Sequence, residues 1–153
     1  MRRLELKVPP VVVFLFLGAV MWPVSKNVPS ATFELPGSWI IALALALAGF
    51  GIAASGVMAF RRHETTVNPT KPEEASSMVA VGAYRYTRNP MYLGLAIGLT
   101  AWASFLSNAV ALLMVPAFVL YMTRFQIKPE ERALQTKFGS DYDTYKTAVR
   151  RWL

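Results

Sequence analysis

The sequence predicts an all-α integral membrane protein of about four transmembrane helices, with a cytosolic C-terminal helical tail. Three observations lead there. The 153-residue chain is 54% hydrophobic, above the about 45–50% of soluble domains. Its mean hydropathy is +0.36. Its apolar residues sit in long uncharged blocks rather than being spread through the chain. The length suits a single domain, residues 1–153.

The first block spans about 8–24. Pro9 and Pro10 suit a helix start, Pro23 its end, and Trp22 an interfacial anchor. It lacks an Ala-x-Ala-like end and reads as a retained helix rather than a cleaved signal. The second, about 39–60, would run about 33 Å as a helix, with Ser38 as its expected N-cap. Gly49, Ala53 and Val57 share one face, where small side chains let a neighbouring helix approach closely in lipid. A polar stretch, 61–90, follows. It is longer than the roughly 12–15 residues of an idle loop, and Pro69 and Pro72 interrupt any helix there. Two apolar blocks, about 91–107 and 108–125, are separated only by Ser107-Asn108, which predicts a tight helical hairpin. Gly94 and Gly98 form a GxxxG pair, and Pro116 predicts a kink.

The tail, 126–153, is polar. Pro129 predicts a helix start and Gly139 its end, with Ser140 capping a final helix. Tyr142, Tyr145, Val149 and Trp152 make an apolar stripe near 3.6-residue periodicity. Beside Lys146, Arg150 and Arg151, that stripe predicts a helix lying on the membrane surface.

Basic residues near the helix ends set orientation. Arg2, Arg3 and Lys7 precede the first helix, Arg61, Arg62, Lys71, Arg85 and Arg88 lie between the second and third, and the tail carries the rest from Arg124 onward. Only Lys26 falls on the other side. Both termini and the central stretch are therefore expected in the cytoplasm. The net charge of +7 flanks apolar blocks, which fits membrane lipids as partners and argues against nucleic acid. With no cysteine, and His63 as the one histidine, thiolate and multi-histidine metal sites are excluded and no metal is expected. His63 itself reads as a helix-end residue rather than a catalytic one.

The chemistry should lie where the two polar segments meet the third and fourth helices. VAVGAYRYTRNPMYLG (79–94) joins cytosol to membrane with aromatics, arginines and glycines at a helix mouth, and PEERALQTKFGSDYDTYKTAVRRWL (129–153) follows the hairpin. Together they resemble the isoprenylcysteine carboxyl methyltransferase family and its bacterial relatives and, more distantly, the phospholipid N-methyltransferases. The resemblance covers about 61–153.

It implies a methyltransferase embedded in a bacterial inner membrane, using S-adenosyl-L-methionine in a cytosol-facing pocket closed by the tail. Carried over by position, Gly82, Tyr84, Arg85, Asn89, Pro90, Tyr92 and Gly94 belong to the cofactor site, with Glu130 and Glu131. Thr65, Thr66, Asn68 and Pro69 resemble a loop of the bacterial relatives. Isoprenylcysteine enzymes carry Arg-His-Pro where this chain has Arg88-Asn89-Pro90, whereas Asn89 to Gly94 matches the Asn-Pro-Met-Tyr-x-Gly element of phospholipid enzymes. The lipophilic small-molecule acceptor is thus either the carboxylate of an isoprenylcysteine-like compound or a lipid amine.

Glu131, Arg85 and Arg88 are the expected catalytic residues. Glu131, ahead of Glu130, is the candidate base for an amine acceptor, and an arginine would orient a carboxylate. Plainer roles stand beside these. Acids after Pro129 also serve the helix dipole, the arginines are also positive-inside anchors, and Tyr84, Tyr86 and Tyr92 also suit an interfacial belt. Gly94 and Gly98 also suit packing alone. Two other functions fit the topology: an NADPH-dependent membrane reductase related to sterol reductases, and a non-catalytic scaffold or lipid-binding protein.

Overall fold

A computed structural model describes residues 5–62 and 77–153; His63, Thr65, Thr66, Asn68, Pro69, Lys71 and Pro72 lie outside the described residues. Seven α-helices carry the described chain, and the one β feature among these residues is an isolated bridge between Thr32 and Asn108.

Helix α1 (Pro10–Asn27) begins on Pro10, whose missing N–H costs nothing in a first turn. It continues past Pro23, where the sequence suggested an end. Ser25 Oγ and Asn27 Nδ2 donate to the carbonyls of Trp22 and Pro23, both at 2.8 Å. Lys26 suits the negative end of the helix and lies over the Trp22 ring. Helix α2 (Ser38–Arg62) starts with Ser38 as its first residue rather than its cap. The Gly37 carbonyl instead accepts the amides of Ile40 and Ile41.

Helix α3 (Pro90–Leu106) lies against α2 in the most extensive helix–helix contact among the described residues. A Cβ on Gly49 would fall 2.7 Å from the Gly94 carbonyl oxygen. One on Gly94 would fall 2.5 Å from the Gly49 oxygen and 2.7 Å from Ala53 Cβ. Any side chain there would force the backbones apart. Gly98 faces α1, where Phe14 lies 3.2 Å from its would-be Cβ. Trp102 ties α3 to α1 by donating to the Gly18 carbonyl.

Ser107 takes a left-handed φ of 47° and ends α3. The wholly buried Asn108 then caps α4 (Ala109–Leu112) by accepting from Val110 and Ala111, while its Nδ2 donates to Val28. The helix is interrupted at Leu113, one turn before Pro116, and resumes as α5 (Met114–Met122). The sequence reading stops the fourth helix at 125 and starts a new one at Pro129. The structure instead runs helix from Ala109 to Phe138, through a π turn (Thr123–Ile127) into α6 (Lys128–Phe138). The wider π turn absorbs a proline that would clash within an α-helix. Gly139, at φ 53° and ψ −123°, turns the chain into α7 (Ser140–Ala148), which ends before Val149 and Trp152.

Three helical stretches are long and apolar enough to cross a bilayer: Pro10–Asn27, Ser38–Arg62 and Ala109–Phe138. α3 is a shorter apolar helix. The core joins α1, α3, α5 and the π turn through Met21, Leu99, Phe118, Met122 and Ile127.

Candidate active site

The C-terminal end of α2 and the N-terminal ends of α3 and α6 converge, and α7 roofs them. A 3₁₀ turn (Gly82–Arg85) leads into α3 and buries Tyr84, whose ring packs on Phe60 at 5.3 Å. Tyr92, in the first turn of α3, donates from its hydroxyl to Glu130 Oε1 at 2.5 Å. Gln126 Nε2 donates to the same oxygen at 2.6 Å from one turn earlier on the same helix. The Glu130 carboxyl thus sits between two buried donors.

Glu131 faces a different set of partners. Arg151 grips it with a fork, Nε to Oε1 at 2.9 Å and Nη2 to Oε2 at 2.8 Å, and Arg88 Nη2 lies 3.2 Å from Oε1. Two-pronged contacts of this kind are among the strongest charged hydrogen bonds. They also raise the Arg151 pKa, against the opposing effect of burial. The Arg88 side chain is only 9% exposed, and its Nε and Nη1 have no hydrogen-bond partner among the described residues. Beyond its pairing with Glu131, this buried guanidinium has two unused donors that can take a further hydrogen-bond acceptor.

Between these groups lies a cavity of about 100 Å³. Its wall includes Val79, Tyr84, Arg88, Asn89, Tyr92, Glu130, Glu131, Tyr142 and Tyr145. The tail is stitched down over it. Tyr145 donates to the Tyr84 carbonyl at 2.7 Å, and Asn89 Nδ2 donates to the Arg151 carbonyl at 2.9 Å. The Arg88 amide meets the Arg150 carbonyl, and Trp152 Nε1 reaches Thr123 Oγ1. The apolar stripe expected on the membrane surface therefore faces the protein, because burying Tyr142 and Val149 there also satisfies Tyr145 and closes the ion triad. Burial, then the Glu131 charge, pushes the Tyr142 phenol up to about 12. Burial likewise raises Tyr84 and Tyr145. All three stay neutral near pH 7 and offer uncharged π faces.

Of the residues singled out from sequence, Tyr84, Arg88, Asn89, Tyr92, Glu130 and Glu131 meet at this cavity. Four do not. Arg85 is exposed, pointed away by the 3₁₀ turn that buries Tyr84. Gly82 is exposed and serves that turn with φ 61°. Pro90 is the first residue of α3 and packs against Gly56. Gly94 is used up by the contact with α2. Gln126, Tyr142, Tyr145 and Arg151 join the site without a motif in the sequence that marks them for it. Only Gln126 left a local signal, its i,i+4 spacing from Glu130.

A family model described as phospholipid methyltransferase matches residues 38–141. The chain belongs to the phospholipid methyltransferase family. A Haemophilus influenzae protein, described only as uncharacterized, is 49% identical over 63 residues, which are 41% of this chain and all of that protein. No solved structure matches. Membership of the phospholipid methyltransferase family, with the apolar helices, makes this a membrane protein of a methyltransferase family and favours methyl transfer over the reductase and scaffold readings. Tyr142 and Tyr145, which roof the cavity, and Arg151, which grips Glu131, lie beyond the matched residues.

Proposed function

We propose that this chain is an S-adenosylmethionine-dependent methyltransferase acting on a lipid amine from the cytoplasmic side of a bacterial inner membrane, with both termini in the cytoplasm. One observation carries the reading. The residues before α3 and those opening α6 share a buried cavity that holds a carboxylate, Glu130, and a guanidinium, Arg88, with two unused donors. These are the complements of an amino-acid-bearing nucleoside. S-adenosylmethionine, when bound, supplies a methyl group on a sulfonium, a leaving group that needs no acid.

The chain's own residues do the rest. Arg88 would hold a carboxylate through Nε and Nη1, and Glu130 would accept from an ammonium or hydroxyl group. The faces of Tyr84, Tyr92 and Tyr142 would stabilise positive charge by about 0.5–2 kcal/mol each. Much of the acceleration would come from alignment. The enclosed space is below the ~300 Å³ low end of ligand pockets, so a nucleoside would displace part of the α7 roof.

An apolar groove of about 240 Å³ supports a lipophilic acceptor. Pro10, Val11, Ala53, Val57 and Leu95 line it, together with Met91 and Tyr92, which it shares with the cavity. An acyl chain lying there would bring its headgroup to Tyr92. The amine is favoured over the carboxylate because Glu130 sits beside Tyr92 with no arginine among its hydrogen-bond partners in the described residues. Glu130 therefore replaces Glu131 as the candidate base. Glu131 already spends both oxygens on arginines.

The test is transfer of radiolabelled methyl from the cofactor to a native lipid extract. Label in an alkali-stable headgroup supports the amine; label released as volatile methanol on alkaline hydrolysis of a methyl ester supports the carboxylate. No label in any lipid, from protein that binds S-adenosylhomocysteine, would refute the acceptor assignment.

A further inference from the structure

The residues ahead of α1 reach the far side of the helix that carries the site. Pro129 has no N–H to give the Phe125 carbonyl four residues back. That carbonyl instead accepts the Leu6 amide at 3.0 Å. The neighbouring Glu5 carboxylate bridges two guanidinium groups, Arg124 Nη1 at 3.2 Å and Arg132. Arg124 lies in the π turn and Arg132 on α6, so one acid spans the junction that Pro129 disrupts. Leu6 adopts φ 58°, a left-handed value uncommon for a residue with a side chain. Such a conformation persists only where its surroundings hold it. Two residues on, Val8 packs against the cluster that contains Tyr92, Met122 and Ile127.

From these contacts we infer that Glu5 and Leu6 form a strap that sets the register of the π turn, and so positions Gln126 and Glu130 against Tyr92. Arg124, Phe125 and Arg132, the partners of the strap, are not among the residues lining the cavity; the strap acts through the helix. Gln126 is the residue after Phe125, and Glu130 the residue after Pro129. A change of pitch between Arg124 and Arg132 would therefore move both donor and acceptor of the Gln126–Glu130 bond. The role of Glu130 in cofactor binding rests on the function proposed above; the strap's hold on the π turn does not.

Two readouts separate these claims. The first is amide hydrogen exchange across residues 123–131, with the α2–α3 contact as an internal reference. The second is the affinity of detergent-solubilised full-length protein for S-adenosylhomocysteine. Loss of a charge-assisted contact supports an expected rise of about tenfold in exchange at 123–131 for Glu5→Ala. The reference should stay unchanged, S-adenosylhomocysteine should bind about fivefold or more weakly, and Glu5→Asp should recover most of both effects. Leu6→Gly keeps the N–H and removes the left-handed penalty, so it should preserve protection and affinity. Unchanged exchange at 123–131 in Glu5→Ala would overturn the strap, as would an equal rise at the α2–α3 reference. A local rise with unchanged affinity, in a protein whose parent binds, would overturn its positioning of the site. A parent that does not bind S-adenosylhomocysteine would overturn the cofactor reading, while the exchange result would still decide the strap.

Discussion

Replacing Glu131 with leucine should cost more than any surface change, because it strands a charge the protein cannot rehydrate. Glu131 is 14% exposed and Arg88 9%, so their contact lies largely outside water. Removing one partner of a buried pair costs about 3–5 kcal/mol. The lower end applies, since Arg151 is 34% exposed and can return to solvent. About 3 kcal/mol is a factor of about 150 in the unfolding equilibrium. The double variant Arg88→Met/Glu131→Leu should be more stable than Glu131→Leu alone, because it no longer buries an unpaired charge. Denaturant titration in micelles, followed by tryptophan fluorescence, reads all three proteins. A single variant within about 1 kcal/mol of the parent, or a double variant less stable than the single, would refute the reasoning.

Glu130→Gln should lower methyl transfer by about 100-fold or more, as removal of a general base does, and weaken S-adenosylhomocysteine by about five- to tenfold, from the lost charged acceptor; equal losses in both would mark Glu130 as a binding group only. Tyr92→Phe should lower turnover by about tenfold, from the lost hydrogen bond to a carboxylate, and unchanged turnover would remove Tyr92 from the site. Gly94→Ala should destabilise by about 1–3 kcal/mol, because its Cβ would sit 2.5 Å from the Gly49 oxygen; a neutral result in the same micelle titration would contradict the close α2–α3 approach. The raised Tyr142 pKa favours the protonated phenol in the folded state. Its contribution to stability should be complete below the unfolded value of about 10 and lost as pH rises through about 12. Alkaline unfolding of Tyr142→Phe against the parent reads this, and identical profiles would contradict it.

The helical architecture was legible because its signals are local. Uncharged blocks marked the helices, Ser107-Asn108 the hairpin, and Gly49 with Ala53 the face that meets Gly94. The motif before α3 pointed to the right region but could not rank its members. Arg85 and Arg88 are three residues apart, and only the 3₁₀ turn decides that one is exposed while the other is buried against Glu131. Pro129 suggests a helix start because a π turn leaves no local signature, and the N–H that Pro129 lacks comes from Leu6, far away in sequence. The Tyr142–Tyr145 stripe was correctly read as apolar but assigned to lipid. Periodicity gives the face of a helix, not what covers it, and here the cover is the 3₁₀ turn and α6.

Calorimetric titration of S-adenosylhomocysteine into the solubilised protein and its Arg88→Met variant bears most directly on the shared cavity. One molecule should bind per chain, about tenfold or more weakly in the variant, which loses a charged hydrogen-bonding partner. No binding to the parent, or equal affinity for both proteins, would contradict it.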